Sequence, residues 1–242
     1  NQARGMSDLA LFEVGPVFHG GEPEDQELMV TGILVGQSGP RDAHGTRRPV
    51  DLYDAKADAE AVLAAIGAPE KLMIIRGMNS WWHPGRSAKL SLGPKNTLGA
   101  YGELHPKVIK AMDVKGPVVA FAIHIANVPL PKSKSNTRPA LQASGFQSVE
   151  RDFAFVVDET VEALSLLNAA RGADKALIVD ATVFDQFTGP KAAAQMGEGK
   201  KSIAISVRLQ SFDATLTDKE IEAVAVKIVA GVQRATGGVL RQ

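Results

Sequence analysis

Three side chains near the end of the chain have the chemistry needed to hold a nucleobase. Asp185 and Phe187 are two residues apart, and Ser202 follows a connection that is rich in Gly, Pro and Ala. An aromatic ring offers a face on which a base can stack, a contact that contributes about 1–3 kcal/mol. A carboxylate accepts hydrogen bonds from the amide and amino edge of guanine, and a hydroxyl donates or accepts. Asp185, Phe187 and Ser202 therefore predict a site for one base of a nucleic acid.

Basic side chains near these three residues predict contacts with phosphate, namely those of Lys200, Lys201 and Arg208. The surrounding segment, residues 148–242, carries 11 basic and 13 acidic residues, so its total charge does not favour a polyanion. A module of this kind is expected to bind RNA locally and weakly, and to rely on other parts of an assembly for affinity.

Two other functions fit the same segment. Phe184 and Phe187 are also typical of a hydrophobic core, in which case the segment is a structural assembly domain. The second alternative is a ferredoxin-like regulatory module that binds a small molecule, such as an amino acid, at a sheet edge. Solvent exposure of Phe187 distinguishes a base-binding site from the structural alternative.

The elements that must position these residues follow the order βαββαβ. The alternation along residues 201–211 puts Ile203 and Ile205 on one face of a strand and Ser202 and Ala204 on the other. This order predicts a ferredoxin-like sandwich with helices on one face of the sheet, and with the two site segments on adjacent central strands. A bulge in the earlier strand would reverse its parity, so the facing of its side chains stays open. The predicted elements are strand Arg151–Val157, helix Val161–Arg171 capped by Thr160, strand Leu177–Phe187, a loop, strand Lys201–Ser211, a helix capped by Thr217 to Glu220, and edge strand Val239–Arg241.

The first half of the chain predicts a mixed or antiparallel sheet with few helices. Proline and polar residues between Pro129 and Pro139 predict a junction, because proline cannot donate to a sheet ladder. The predicted domains are residues 1–130, a linker at 131–147 and residues 148–242. The predicted elements of the first part are strands at Leu9–Phe18, Leu28–Gly36, Lys71–Arg76, Lys89–Leu92, Thr97–Leu104 and Val118–Ile125, helices at Lys56–Ile66 and Lys107–Met112, and a turn at Trp81–Ala88.

Composition excludes several classes of protein. The 242 residues carry 27 basic and 27 acidic side chains and no cysteine, which excludes disulfides and thiolate metal sites. No apolar run approaches the roughly 20 residues that span a bilayer, so no membrane association is expected. The five histidines lack metal-ligand spacing, and Asp51 and Asp54 are read as a helix start rather than an acid–base pair. The chain begins without Met inside a strand-like pattern, and is expected to be the C-terminal piece of a longer protein.

Several motifs in collinear order resemble the β subunits of bacterial phenylalanyl-tRNA synthetases. The resemblance covers nearly the whole chain, and no single motif carries it alone. The motifs are Leu11–Gly15, Asp51–Lys56, His83–Ala88, Gly99–Pro106, Val149–Phe155, Val183–Gly189, Gly199–Ala204, Thr215–Asp218 and the final Leu240-Arg241.

The resemblance implies an α+β chain with two parts. The first is the C-terminal portion of a class II synthetase-like domain that has lost its chemistry, and the second is a ferredoxin-fold anticodon-binding domain. By motif match, Asp185 contacts the edge of the first anticodon base, Phe187 stacks under it and Ser202 hydrogen-bonds to it. Members of the family often have Tyr where Phe187 stands, a change that keeps stacking but removes a hydroxyl.

The resemblance also implies the partners and the reaction. The family pairs with a catalytic α subunit as an (αβ)2 heterotetramer that charges tRNA-Phe with ATP and Mg²⁺ in the cytoplasm. This chain alone is expected to be catalytically inactive, to bind no cofactor or metal and to have no DNA partner.

Overall fold

The chain divides into two compact units, Asn1–Thr137 and Arg138–Gln242. The computed structural model describes residues 1–39, 42–43, 45, 47–78, 81–130 and 140–241. Of the linker predicted at residues 131–147, residues 131–139 lie outside the described residues. Residues 140–147 contain neither helix nor strand.

The first unit is built on a six-stranded antiparallel sheet with strand order β1-β2-β6-β5-β4-β3. Two helices accompany it, and the first packs on strands β5 and β6. The bounds are β1 Leu9–Phe18, β2 Gln26–Val35, α1 Leu52–Ala65, β3 Met73–Arg76, β4 Trp82–Leu92, β5 Asn96–Leu104, α2 Pro106–Ala111 and β6 Val118–His124.

Helix α1 begins at a reciprocal cap. The Asp51 carboxylate accepts from the backbone N–H of Tyr53 at 2.8 Å, and the Asp54 carboxylate accepts from the N–H of Asp51 at 2.8 Å. Arg48 donates to both oxygens of Asp54, and this hydrogen bond is the main reason that the pKa of Asp54 is lowered. These contacts confirm that the two aspartates start a helix. The helix buries Ala55, Ala59 and Leu63 against the sheet.

The turn predicted at Trp81–Ala88 is wrong, because β4 runs through most of it. Trp82 pairs with Leu104 and Ser87 with Gly102, so five steps along β4 face only two along β5. The excess residues, around Pro84 and Gly85, form an irregularity within the strand rather than its end. The Pro84-Gly85 pair predicted a turn because the local sequence does not show that β4 pairs with β5 both before and after it.

The second unit is an antiparallel four-stranded sheet covered by helices, with strand order β10-β7-β9-β8. The element order confirms the predicted ferredoxin-like sandwich. The bounds are β7 Val149–Asp158, α3 Ala163–Ala173, β8 Ile178–Phe187, α4 Pro190–Met196, β9 Lys200–Leu209, α5 Asp218–Thr236 and β10 Val239–Leu240.

One face of this second sheet is the floor of a hydrophobic core. Residues 203, 205, 207 and 209 of β9 are at most 1% exposed, and they pack with Phe153 and Phe155 of β7 under α3 and α5. The two helices are also joined by an ion pair, since the Lys227 ammonium lies 2.8 Å from the Asp174 carboxylate. That hydrogen bond is the main cause of the lowered pKa of Asp174.

Three predictions about the second unit are wrong. Helix α3 begins at Ala163 rather than after a Thr160 cap, because Val161 is still held in a turn by its N–H bond to Asp158. The connection after β8 contains helix α4 rather than a plain loop. The central strands are β7 and β9, so β8 lies at the sheet edge.

Candidate nucleic-acid interface

The pairing of β8 with β9 places the three predicted base-binding residues on one face. Phe187 lies opposite Ser202, and Asp185 lies opposite Ala204. Residues two apart on a strand share a face, and directly paired residues do so as well. Because Ile203 and Ile205 belong to the core, Asp185, Phe187 and Ser202 must face the other side, which we call the open face.

A β-bulge produces this arrangement. Val183 pairs with Ile205 and Asp185 pairs with Ala204, so Phe184 is an extra residue on β8. An earlier register shift follows Ile178, and between it and the bulge the odd-numbered residues, such as Ala181, point into the core. After the bulge, odd-numbered residues lie on the open face. The parity that the sequence left open is therefore set at the site by the extra residue Phe184.

The three side chains differ in accessibility. Asp185 is exposed and Phe187 is half-buried. Ser202 is only 4% exposed, and its direct neighbours on the open face are Val156 of β7 and Phe187 of β8. A ligand can reach the Asp185 carboxylate directly, whereas contacts with the Phe187 ring and with the Ser202 hydroxyl require neighbouring side chains to move.

The aromatic residues also separate the base-binding prediction from the structural alternative. That alternative requires both Phe184 and Phe187 to be buried, but Phe184 is 58% exposed. Neither ring belongs to the core cluster of the described residues. The structural alternative is therefore wrong for Phe184.

The centre of the open face is lined by small side chains. Ala154 of β7 pairs with Ala204 of β9, and Ser206 lies one pair further along the same face. These strand positions carry only small side chains, so a flat ring beside Phe187 would share this surface with the Arg241 guanidinium, which lies 5.9 Å from the Phe187 ring centroid. The small residues define a shallow floor rather than a deep cavity.

The residues predicted to contact phosphate are placed less favourably. The Lys200 ammonium lies 2.5 Å from the Asp158 carboxylate, which already supplies a negative charge. Lys201 pairs with Val157, and the alternation places both on the helix side of the sheet. Lys200 thus lies on the open face with its charge partly offset by Asp158, whereas Lys201 points to the other side of the sheet.

Arg208 does lie on the open face, but among acidic side chains. It pairs with Glu150 on one neighbouring strand and with Asp180 on the other. Opposite charges at direct cross-strand positions interact favourably, so these neighbours reduce the charge that Arg208 would offer to phosphate, although Asp180 is itself paired with Arg171 at 3.4 Å.

Arg241 was not predicted as a base-contacting residue, but it lies at the site. Its guanidinium carbon lies 5.9 Å from the centroid of the Phe187 ring, within the range of a cation–π contact. The same guanidinium donates to the side-chain oxygen of Gln195 in α4 at 3.3 Å. The available signal was the parity of the last strand. Val239 pairs with Val156 on the open face, so Arg241 falls on that face too.

The end of α5 fixes the backbone that carries Arg241. Gly237 adopts a left-handed conformation with φ 69°, and its N–H bonds to the carbonyl of Gln233 at 2.9 Å. A Cβ atom on Gly238 would lie 2.9 Å from a methyl carbon of Val157, so the chain passes close to β7 there. The Arg241 N–H then donates to the Ala154 carbonyl at 2.7 Å.

A cluster of titratable residues in the first unit forms a hydrogen-bond network. Glu27 lies between His19, at 3.1 Å, and His124, at 2.7 Å. Burial raises the pKa of Glu27, but the hydrogen bonds to both imidazoles outweigh it and lower the pKa overall. Within the residues that the structure describes, no group of His, Asp or Glu is arranged to hold a metal ion.

None of the helices in the described residues of either unit is long and apolar enough to cross a bilayer.

The fold and the open face agree with a class of RNA-binding module. Residues 144–241 match the family described as the ferredoxin-fold anticodon binding domain. Residues 1–125 match a second family, described as the phenylalanyl tRNA synthetase beta chain CLM domain. The chain belongs to this phenylalanyl-tRNA synthetase beta chain family.

Relatives along the whole chain agree with this assignment. The chain is 66% identical to a protein of Cereibacter sphaeroides, 62% to one of Ruegeria pomeroyi and 49% to one of Rhodospirillum rubrum. Each of these proteins is named phenylalanine–tRNA ligase beta subunit. The matches cover 100% of this chain but 30% of each relative, so the chain spans about a third of their length.

Proposed function

We propose that the second unit recognises the anticodon of tRNA-Phe as part of a phenylalanine–tRNA ligase. The observation that carries the proposal is the pairing of Phe187 with Ser202, with Asp185 on the same face. A ring, a carboxylate and a hydroxyl are thus brought to one shallow surface. The family of the second unit and the names of the relatives support the same function.

In this proposal, each side chain has a separate role. The first anticodon base stacks on Phe187, and the exposed carboxylate of Asp185 accepts from the amide and amino edge of guanine. Ser202 adds a hydrogen bond once the base has displaced the side chains around it. Stacking tolerates any base, whereas a carboxylate favours one that presents donors, so Asp185 supplies the discrimination.

The rest of the reaction belongs to a larger assembly. We propose that residues 1–130 are the C-terminal portion of a non-catalytic class II synthetase-like domain, followed by a linker and by the binding module at 148–242. A catalytic α subunit would charge tRNA-Phe with ATP and Mg²⁺ within an (αβ)2 enzyme in the cytoplasm. This chain alone is then inactive, and formation of phenylalanyl-adenylate by the purified chain would contradict the proposal.

The binding site is tested with an RNA hairpin that carries the tRNA-Phe anticodon loop. Phe187→Ala is expected to weaken binding by about five- to 150-fold, which corresponds to the loss of one stacking contact. Asp185→Ala is expected to reduce the preference for guanine at the first anticodon position. Binding is measured by fluorescence anisotropy at fixed salt, since electrostatic contributions change with ionic strength.

Glu222→Ala is the matched control for loss of an acidic side chain. Glu222 lies exposed on α5, in the helix layer, so its removal changes the net charge equally but leaves the open face intact. Unchanged affinity in both Asp185→Ala and Phe187→Ala would show that the site is wrong. Calorimetric heat with free phenylalanine but none with the hairpin would favour the small-molecule alternative instead.

A further inference from the structure

The cations of the open face are not equivalent. Lys200 is paired with Asp158, and Arg208 lies between two carboxylates. Arg241 is different, because its side chain contacts the ring of Phe187 and the neutral amide of Gln195. Among the described residues no ion pair joins Arg241 to a carboxylate. The guanidinium that contacts the stacking ring therefore forms no ion pair with an acid of the described residues.

We propose that Arg241 closes over the nucleobase that stacks on Phe187, so that the base is held between a ring and a guanidinium. This inference rests on the proposed function and adds a residue to its site. A guanidinium is planar and weakly hydrated, and it stacks on base and aromatic faces, which an ammonium does not do. Arg241 therefore acts on the base itself rather than on the phosphate chain.

The geometry of the unliganded site fits a clamp that must open slightly. Two stacked contacts at about 3.5–4.0 Å each need about 7 Å between the ring and the cation. The observed distance between the guanidinium carbon and the ring centroid is 5.9 Å. Entry of a base thus requires the guanidinium to retreat by roughly 1 Å. Without a ligand, the Arg241 guanidinium covers one face of the Phe187 ring, and an incoming base takes its place on that face.

The two ends of the Arg241 side chain are held with different strength. Its backbone N–H is bound to the Ala154 carbonyl of β7 by a 2.7 Å hydrogen bond. Three residues earlier, the backbone at Gly238 also passes close to Val157 of β7. Its guanidinium is held by a longer hydrogen bond of 3.3 Å to an exposed glutamine. The residue is therefore anchored at the main chain while its head can move.

The test compares two RNA hairpins, one with the intact tRNA-Phe anticodon loop and one with an abasic site at the first anticodon position. Arg241→Met keeps an unbranched side chain without the charge or the plane. We expect it to weaken binding of the intact hairpin about three- to thirty-fold, the range of a cation–π contact. We expect binding of the abasic hairpin to change less than twofold. Arg241→Lys restores the charge but not the plane, and is expected to remain weakened on the intact hairpin.

Arg234→Met is the matched control, because Arg234 is an exposed arginine in the last turn of α5. It should bind both hairpins like the wild-type chain.

Equal losses by Arg241→Met on both hairpins, or full rescue by Arg241→Lys, would overturn the clamp and indicate a phosphate contact. If the wild-type chain itself does not distinguish the two hairpins, the base-binding function fails. If it distinguishes them and Arg241→Met does so equally well, only the clamp fails. Matching thermal melts of the variants keep these outcomes separate from misfolding.

Discussion

The two faces of the second sheet are made by the same strands but have opposite composition. On β9, Ile203 and Ile205 are fully buried, while Ala204 and Ser206, the residues that follow each of them, are partly exposed. The helix side is filled by large aliphatic and aromatic groups, and the open face carries mainly small and charged ones beside the Phe187 ring. Because successive residues on a strand point to opposite sides, a change of one position separates the two environments.

This contrast teaches that stability and binding can be altered separately in one small module. Substitutions on the helix side should change the free energy of unfolding, and affinity only through the folded fraction. Substitutions around Phe187 should change affinity with little effect on stability. The following predictions test that separation, from the largest expected effect to the smallest.

The largest effect is expected from Phe155→Ala on the helix side. Phe155 is 0% exposed, and its ring centroid lies 6.2 Å from that of Phe153. Removing a buried ring should lower the free energy of unfolding by about 3–5 kcal/mol, through lost burial and the cavity that remains. Urea denaturation measures the loss. The control is Thr182→Ala, an exposed position paired with Ser206, which should cost less than about 0.5 kcal/mol.

A smaller effect is expected from Gly238→Ala, where the chain leaves α5 for β10. The added Cβ would meet Val157 at 2.9 Å and the Thr236 hydroxyl at 3.0 Å. Overpacking of this kind costs about 1–3 kcal/mol. Displacement of β10 should also weaken hairpin binding, because Arg241 follows three residues later. Lower stability with unchanged affinity would show that the position of β10 does not matter for the open face.

Thr217→Ala should be milder and confined to stability. The Thr217 hydroxyl accepts from the N–H of Glu220 at 3.4 Å and caps the first turn of α5. Loss of a helix cap typically costs about 1 kcal/mol. Thermal unfolding followed by circular dichroism measures the change. Hairpin affinity below the melting range should stay the same, and a decrease there would contradict the independence of the two faces.

The smallest effect concerns pH and the ion pair between the helices. The Lys227 ammonium holds the pKa of Asp174 below its ordinary value of 3.8. A carboxyl whose pKa is lower in the folded state stabilises the fold above the unfolded pKa, and this contribution is lost as pH falls through the folded value. Asp174→Asn should therefore lose some stability at pH 7 and show a flatter decline below about pH 4. Urea midpoints at pH 7 and pH 3 provide the comparison. If Asp174→Asn loses as much stability between pH 7 and pH 3 as the wild-type chain does, other carboxylates cause the acid sensitivity.

Local signals in the sequence sufficed where the structure depends on neighbouring residues. The capping box at Thr217 and Glu220 was predicted and is present, and Asp51 and Asp54 lie at a helix start as predicted, where they also form a reciprocal cap. The βαββαβ order follows from hydrophobic periods of the same short range, and the sequence alone therefore revealed it.

Predictions failed where distant pairing decides the outcome. The strand through Pro84 depends on β5, and the edge position of β8 depends on the topology of the whole sheet. Within the candidate site, the open facing of Asp185 depends on a bulge at Phe184 that no local pattern marks. The role proposed for Arg241 depends on a contact with a ring 54 positions earlier in the chain. Such contacts require the folded chain to be seen.

The anchoring of Arg241 to β7 has a practical consequence for handling the protein. The Arg241 N–H is bonded to the Ala154 carbonyl while its guanidinium lies over Phe187, so a foreign polypeptide joined next to Arg241 would start at the site itself. A purification handle placed there would crowd the site and lower apparent RNA affinity, even in a perfectly folded sample. Handles for binding assays therefore belong away from Arg241 or must be cleaved away before measurement.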